Sequence, residues 1–343
     1  MMPTNSTKVI PAKEQSAVNL SAEDLRLDAA AEVQRICAHI QNYMVKVRRR
    51  GAVIGLSGGI DSSVTAALCA KALGKERVFG LLMPERHSAK ETSSLGSKVA
   101  AALGIEAQEH EISLILEASG CYLMQERAVK SVIPSYIPGS PFKIVLPRQG
   151  EGYKLFSIVT ELPGGETVKK RMNHEAYLNL VAATNFKQRV RKMIEYYHAD
   201  RLNYAVAGSP NRLEYDQGFF VKNGDGSADI KPIAHLYKTQ VYQLAEYLGI
   251  PTEVRSRPPT TDTYPMEQSQ EEFYFSLPYQ KMDLCLFAKN NGLGSESVCE
   301  ATGLNQKECE AVFRDIDIKR STTRYLHLKP QLAGDVPEIS VES

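Results

Sequence analysis

No two of the six cysteines, at positions 37, 69, 121, 285, 299 and 309, fall in a CxxC pair. That spacing excludes a zinc knuckle and a thioredoxin-type redox motif, and a chain of 343 residues has no need of disulfide staples. No apolar run approaches the roughly 18 residues of a membrane-spanning helix. The opening stretch MMPTNSTKVIPAKEQSAVNLSAED is polar and lacks the apolar centre of a secretory signal. Formal net charge is +1, too small to draw the chain to nucleic acid or to a membrane surface. No internal repeat is visible. These absences leave a reduced, cytoplasmic protein with neither nucleic-acid nor membrane partners as the expectation. What remains is ordinary for a globular chain, 43% hydrophobic and 24% charged, with ample length for a sizeable core.

Strand and helix signals alternate along the first third. Residues 28–48 place Val33, Ile36, Cys37, Ile40 and Met44 on one helical face. Strands are then expected at 51–56, 77–83 and 107–112, with helices at 61–73, 88–103 and about 113–129 between and after them. This rhythm predicts an α/β fold, a doubly wound and mainly parallel sheet with helices on both faces. Ligands of such sheets bind at the carboxyl ends of the strands. The rhythm breaks over 131–173, where two β-rich runs, FKIVL and KLFSIVTEL, flank PRQGEG and predict a β-hairpin insert. A long helix is expected over 174–198, a strand over 203–208, and a helix over 235–248 that stops at Gly249 ahead of Pro251. Residues 1–22 read as a flexible tail, 23–328 as a single domain, and 329–343 as a second tail.

The most informative stretch is GLSGGIDSS, residues 55–63. An apolar strand ends there and a helix begins, separated by Gly58 and Gly59. Glycines let backbone N–H groups approach a ligand closely, and the helix adds unpaired N–H groups and the positive end of its dipole. Ser57, Ser62 and Ser63 can add hydroxyl donors. Asp61 would repel a bare phosphate, so its presence asks for a cation, and Mg²⁺ suits an oxygen donor. The string is not the GxxxxGK[ST] nucleotide loop, because the lysine is absent.

SGGIDSS at 57–63 resembles the pyrophosphate loop of the N-type ATP pyrophosphatases, which cleave ATP between the α- and β-phosphates. Later segments narrow the resemblance to the ammonia-dependent NAD synthetases. MPERHS at 83–88 resembles their adenine-side loop, and NFKQRVRKMIEYY at 185–197 is similar to their NxxARxRM helix. Residues 208–251 are similar to a second family signature, RPPTTDTYP to their PSADL loop, and IKR at 318–320 to a C-terminal HKR. The resemblance implies that Gly55, Leu56, Ser57, Gly58, Gly59, Ile60, Asp61, Ser62 and Ser63 surround ATP, together with Ser209, Lys238 and Thr260. It implies that Asp61 and Glu214 hold Mg²⁺, and that Asp61, Lys238 and Thr260 carry the catalytic work on ATP.

The acid substrate implied is deamido-NAD, with contacts from Arg189, Lys222, Asp229 and Lys319. Arg189 and Arg191 lie two apart on one helix, so only one is expected to face the site. Asp225 and Asp229 sit in NGDGSAD, a composition that also suits a plain turn. The implied reaction is ATP-dependent amidation by ammonia, giving NAD, AMP and pyrophosphate through an acyl-adenylate, in a homodimer. No nucleophile–His pair for glutamine hydrolysis is visible, so free ammonia, or ammonia from a separate partner, is the expected nitrogen source. The insert, and Ile318 where the family has a His, leave open an AMP-forming amide ligase acting on another carboxylic acid.

Overall fold

A strand whose residues are all apolar must be covered on both faces, and Val53 and Ile54 lie at the centre of the parallel sheet. The computed structural model describes residues 19–89, 91–146, 156–260, 264–334 and 336–339. In chain order its elements are α1 (Ala29–Lys46), β1 (Ala52–Gly55), α2 (Ile60–Leu73), β2 (Val78–Leu82), α3 (Glu91–Leu103), β3 (Glu106–Glu109), α4 (Ser113–Ala118) and α5 (Cys121–Val132). There follow β4 (Phe142–Val145), β5 (Ser157–Glu161), β6 (Thr167–Arg171), α6 (His174–Leu202), β7 (Ala205–Val206), α7 (Arg212–Gln217) and α8 (Lys238–Tyr247). The C-terminal part adds α9 (Thr252–Arg255), α10 (Tyr279–Asn290), α11 (Cys299–Thr302) and α12 (Gln306–Thr323).

The main sheet has the order β3-β2-β1-β7, all parallel, with Val53 opposite Phe79 on one side and Val206 on the other. Alternate residues feed opposite cores. Ile54 and Leu56 pack with Ile36, Leu68, Val99 and Val241, from α1, α2, α3 and α8. Val53, Phe79 and Leu81 pack with Leu116, Tyr122 and Ile194, from α4, α5 and α6. The sheet is therefore doubly wound, as the alternation predicts. Successive strands move outward from β1 to β3, and the chain then returns to β1's other side at β7. The carboxyl ends of β1 and β7 consequently open on a crevice, the topological switch point.

Four expectations are corrected. The single helix at 113–129 is two, because Gly120 takes a φ of +77° between α4 and α5. The strand over 203–208 shrinks to two residues, since α6 runs on to Leu202 and Asn203 caps it in the left-handed conformation. The helix expected from 235 begins at Lys238, after Tyr237 takes the cap position. The hairpin over 131–173 is a three-stranded antiparallel sheet, β4-β5-β6. Its third strand, TVKKR, is mostly exposed and carries one apolar residue, Val168, so no alternation marked it. The PRQGEG turn lies outside the described residues.

Of the segment expected as a tail, residues 1–18 lie outside the described residues. From Asn19 the chain is docked: Leu20 is buried, its N–H donates to the Ser297 carbonyl (2.9 Å), and Leu20 and Leu25 join the core of α10 and α12. Residues 329–334 and 336–339 are exposed.

Candidate active site

The crevice holds a cavity of about 460 Å³. Its floor is the turn after β1. Gly58 has a φ of +68°, and a Cβ there would stand 2.7 Å from the Thr92 carbonyl oxygen and 2.8 Å from Leu95 Cβ. Both conformation and space therefore require glycine at this position. Gly59 occupies the N-cap of α2 and brings no capping side chain, which leaves the first-turn N–H groups of α2 for a ligand. Ser57 Oγ lies 3.1 Å from Ser62 Oγ and accepts from the Gly59 N–H (3.3 Å). Gly55, Leu56, Ser57, Gly59, Ile60, Asp61 and Ser62 line the cavity. Gly58 and Ser63 do not: Gly58 backs onto α3, and the fully buried Ser63 donates its hydroxyl to the Gly59 carbonyl (2.8 Å). Ser63 thus closes the helix turn and offers nothing to a phosphate.

Above the turn sits a charge centre. Lys238 Nζ is ion-paired with Asp61, and Asn211 Nδ2 donates to the other Asp61 oxygen (3.1 Å). Glu214 accepts from the Asn211 N–H (3.1 Å) and from Gln270 Nε2 (3.1 Å). Asn211 and Glu214 form the capping box of α7, so the same side chains that start the helix also build the site. Burial and the neighbouring Asp61 charge push the Glu214 carboxyl up to about 8. Burial opposes the Lys238 ammonium, but the two carboxylates outweigh it and hold the lysine charged. Asp283 on α10 fixes the lysine's backbone, accepting from the Lys238 N–H (3.2 Å) and the Thr239 N–H (2.6 Å). Burial raises Asp283 to about 6. Ser209 and Thr260 lie on the cavity wall, Thr260 behind Pro258 and Pro259.

Among the described residues no group of three or more His, Cys, Asp or Glu could hold a metal. Asp61 and Glu214 are nonetheless two neighbouring carboxyl groups, the second raised by the charge of the first, so a bound cation would favour ionisation of both. That donor set fits Mg²⁺, which binds through one or two carboxylates and takes its remaining ligands from phosphates and water.

The four acid-side residues do not join this cluster. Arg189 is exposed outside the cavity and donates to the Lys222 carbonyl (3.4 Å), while Lys222 Nζ donates to the Tyr325 carbonyl (2.9 Å). Asp229 accepts from the Val206 N–H (2.7 Å) and so secures the edge of β7. Lys319 donates to the Tyr274 carbonyl (2.8 Å) and lies over the Tyr274 ring. Arg191 is the arginine of α6 that lines the cavity, donating to the Met83 carbonyl (3.2 Å). Asp225 also lines it and accepts from the Val221 N–H (2.7 Å).

Sequence reading missed Asn211, Gln270 and Asp283, and also the aromatic far wall of Phe156, Tyr177, Tyr264 and Phe273. The N-x-x-E spacing of Asn211 and Glu214 is a capping-box signal and could have found the first. The others come from distant segments and carry no local signature.

The family model for NAD synthase matches residues 32–132 and 155–323. The chain is 55% identical over 328 residues to the NH(3)-dependent NAD(+) synthetase of Rhizobium meliloti, covering 95% of this chain and 98% of that one. It is 33% identical over 265 residues to the enzyme of the same name from Thermotoga maritima, covering 77% and 89%. Among solved structures, the fold is similar to NMN synthetase from Francisella tularensis, with a TM-score of 0.63, 22% identity, and coverage of 91% and 100%. It is also similar to the NH3-dependent NAD synthetase from Campylobacter jejuni, with a TM-score of 0.60, 24% identity, and coverage of 90% and 100%.

Proposed function

The chain belongs to the NAD synthase family, and we propose that it joins ammonia to the carboxylate of deamido-NAD, consuming ATP and releasing NAD, AMP and pyrophosphate. The observation that carries this reading is the meeting of Asp61, Glu214 and Lys238 above the uncapped N-terminus of α2. A triphosphate seated there meets N–H groups, the helix dipole and the Lys238 ammonium, all aimed at charge that grows on departing pyrophosphate. Asp61 and Glu214 are the residues that would hold Mg²⁺. When bound, Mg²⁺ neutralises phosphate charge and orients the triphosphate. Ser209 and Thr260 add hydroxyl donors around the same ligand.

The substrate carboxylate attacks the α-phosphorus, forming the acyl-adenylate and expelling pyrophosphate. Ammonia then attacks the acyl carbon, and AMP leaves as the amide forms. No protein nucleophile takes part, so this chain's contribution is positioning and charge stabilisation. Arg189, Lys222, Asp229 and Lys319 are assigned to the acid side. Arg189 is on the same exposed face of α6 as Met193 and Tyr197, at steps of four residues. α4 packs on α6 and exposes Leu114 (76%), and exposed apolar side chains on both helices support a homodimer. Six unpaired cysteines support a cytoplasmic location.

A coupled assay tests the reading. Protein, ATP, Mg²⁺ and ammonium are mixed with and without deamido-NAD, and NAD and AMP are followed in parallel. NAD and AMP forming one for one supports the assignment, whereas AMP formation that needs a different acid replaces the substrate.

A further inference from the structure

The family model leaves residues 133–154 unmatched, and β4 lies inside that gap. A strand outside the common family core, placed beside the active site, invites the question of what it holds. β4 has two edges. One pairs with β5; the other faces the segment 264–275, which lines the cavity through Tyr264, Gln270 and Phe273.

The contacts along that second edge come at short intervals. The Met266 N–H donates to the Phe142 carbonyl (3.2 Å), and Gln268 Nε2 donates to the Ile144 carbonyl (2.6 Å). From β4, Lys143 Nζ reaches the Glu267 carbonyl (3.2 Å) and the Glu272 carboxylate (2.9 Å). Gln268 is 2% exposed, an uncommon setting for an amide, and its nitrogen is spent on β4's backbone. Apolar contact reinforces the seam: Phe142 and Tyr264 lie with ring centroids 5.9 Å apart, inside the insert's own core. The braced segment reaches back to the chemistry. Gln270 Nε2 donates to Glu214, the Gln270 N–H donates to the Pro259 carbonyl (3.2 Å), and Ser269 pairs with Thr260.

We infer that the insert is a positioning device for the ATP site: β4 fixes segment 264–275, and that segment sets Glu214 and Thr260 before any ligand arrives. This rests on the ATP-dependent reading of the cavity. The ordering that a bare loop would have to undergo on binding is built into the fold, and a ligand that meets an ordered site binds more tightly by the same amount. Lys143 and Gln268 are therefore positioning residues, remote from substrate.

The test compares wild type with Gln268→Leu, Lys143→Met and the double variant, with Lys143→Arg as the conservative control. Hydrogen exchange on ATP-free protein reads the Met266 and Gln270 amides. The double variant is expected to exchange at least about tenfold faster there, with α2 and β1 amides unchanged. In the coupled assay its ATP KM is expected to rise about tenfold with kcat within about threefold, while Lys143→Arg stays near wild type. Lys143→Met alone, changing a side chain at the surface of the seam, gives the same readouts in smaller measure should Gln268→Leu not fold. Wild-type exchange at Met266 and Gln270, or a kcat loss with ATP KM unchanged, overturns the inference. Wild-type protein that turns over no ATP refutes the functional reading instead, and the exchange result still decides whether β4 braces the segment.

Discussion

Replacing Lys238 by methionine isolates the charge centre. Lys238 is 2% exposed and ion-paired to Asp61, with Glu214 also near enough to favour its charge. Methionine fills much the same volume but leaves two carboxylates without their cation. Breaking a buried pair in this way costs about 3–5 kcal/mol. The lower end, ~3 kcal/mol at pH 8, is expected here, because Asp61 keeps the Asn211 amide and Glu214 keeps Gln270. The loss should depend on pH. The Glu214 carboxyl titrates near 8 in the fold against an ordinary 4.5, raised by burial and by Asp61. A carboxyl with a raised folded value contributes stability that is whole below the unfolded value and fades as pH rises through the folded one. Without Lys238 the folded value climbs further, so the variant's deficit is smaller at pH 6, where Glu214 holds its proton. Urea denaturation at the two pH values measures this, and added Mg²⁺ should recover more stability in the variant than in wild type. AMP formation should fall by about 10²–10³, the scale for losing one stabilising donor. Equal deficits at both pH values, or a deficit below about 1 kcal/mol, would refute the account of the pair.

Gly58→Ala forces a left-handed alanine, at about 1–2 kcal/mol, and a clash with the Thr92 carbonyl; a lower Tm and a raised ATP KM are expected, and an unchanged Tm would contradict the geometry. Burial pushes the Glu32 carboxyl up, but hydrogen bonds to His235 and Arg35 outweigh that and hold it near 2. Its stabilisation is complete above the ordinary value of 4.5 and is lost as pH falls toward 2, so wild type should lose more Tm across that window than Glu32→Gln. Arg189→Ala should raise the KM for deamido-NAD and leave ATP's alone, and Arg191→Ala should do the reverse; steady-state kinetics against each substrate separates them.

The sheet and its switch point were legible because strand burial and glycine placement are local. Val53 and Ile54 could only be an inner strand, and the Gly58–Gly59 turn could only follow it. That Asp61 would line the cavity was legible for the same reason. The resemblance names Lys238 but not its near-complete burial, since its contacts come from distant segments, Asp61 on α2 and Asp283 on α10. β6 was missed because an exposed strand rich in lysine has no alternation to read. The resemblance implies Arg189 and Asp229 as contacts to one substrate, yet they lie in different surroundings, and helix phase alone could not say which arginine of α6 turns inward.

The charges of β6 have a meaning for the molecule as a solute. The insert sheet has two edges, and β4's is occupied by segment 264–275. The other is β6, which pairs with no further strand among the described residues, so its backbone can template a strand from another molecule. Lys169 and Lys170 stand exposed along it. Two copies approaching edge to edge bring these like charges together, so self-association through this strand is disfavoured without any loss to the core beneath. Neutral, β-branched residues at the same two positions would keep the fold and turn this edge into a nucleus for aggregation.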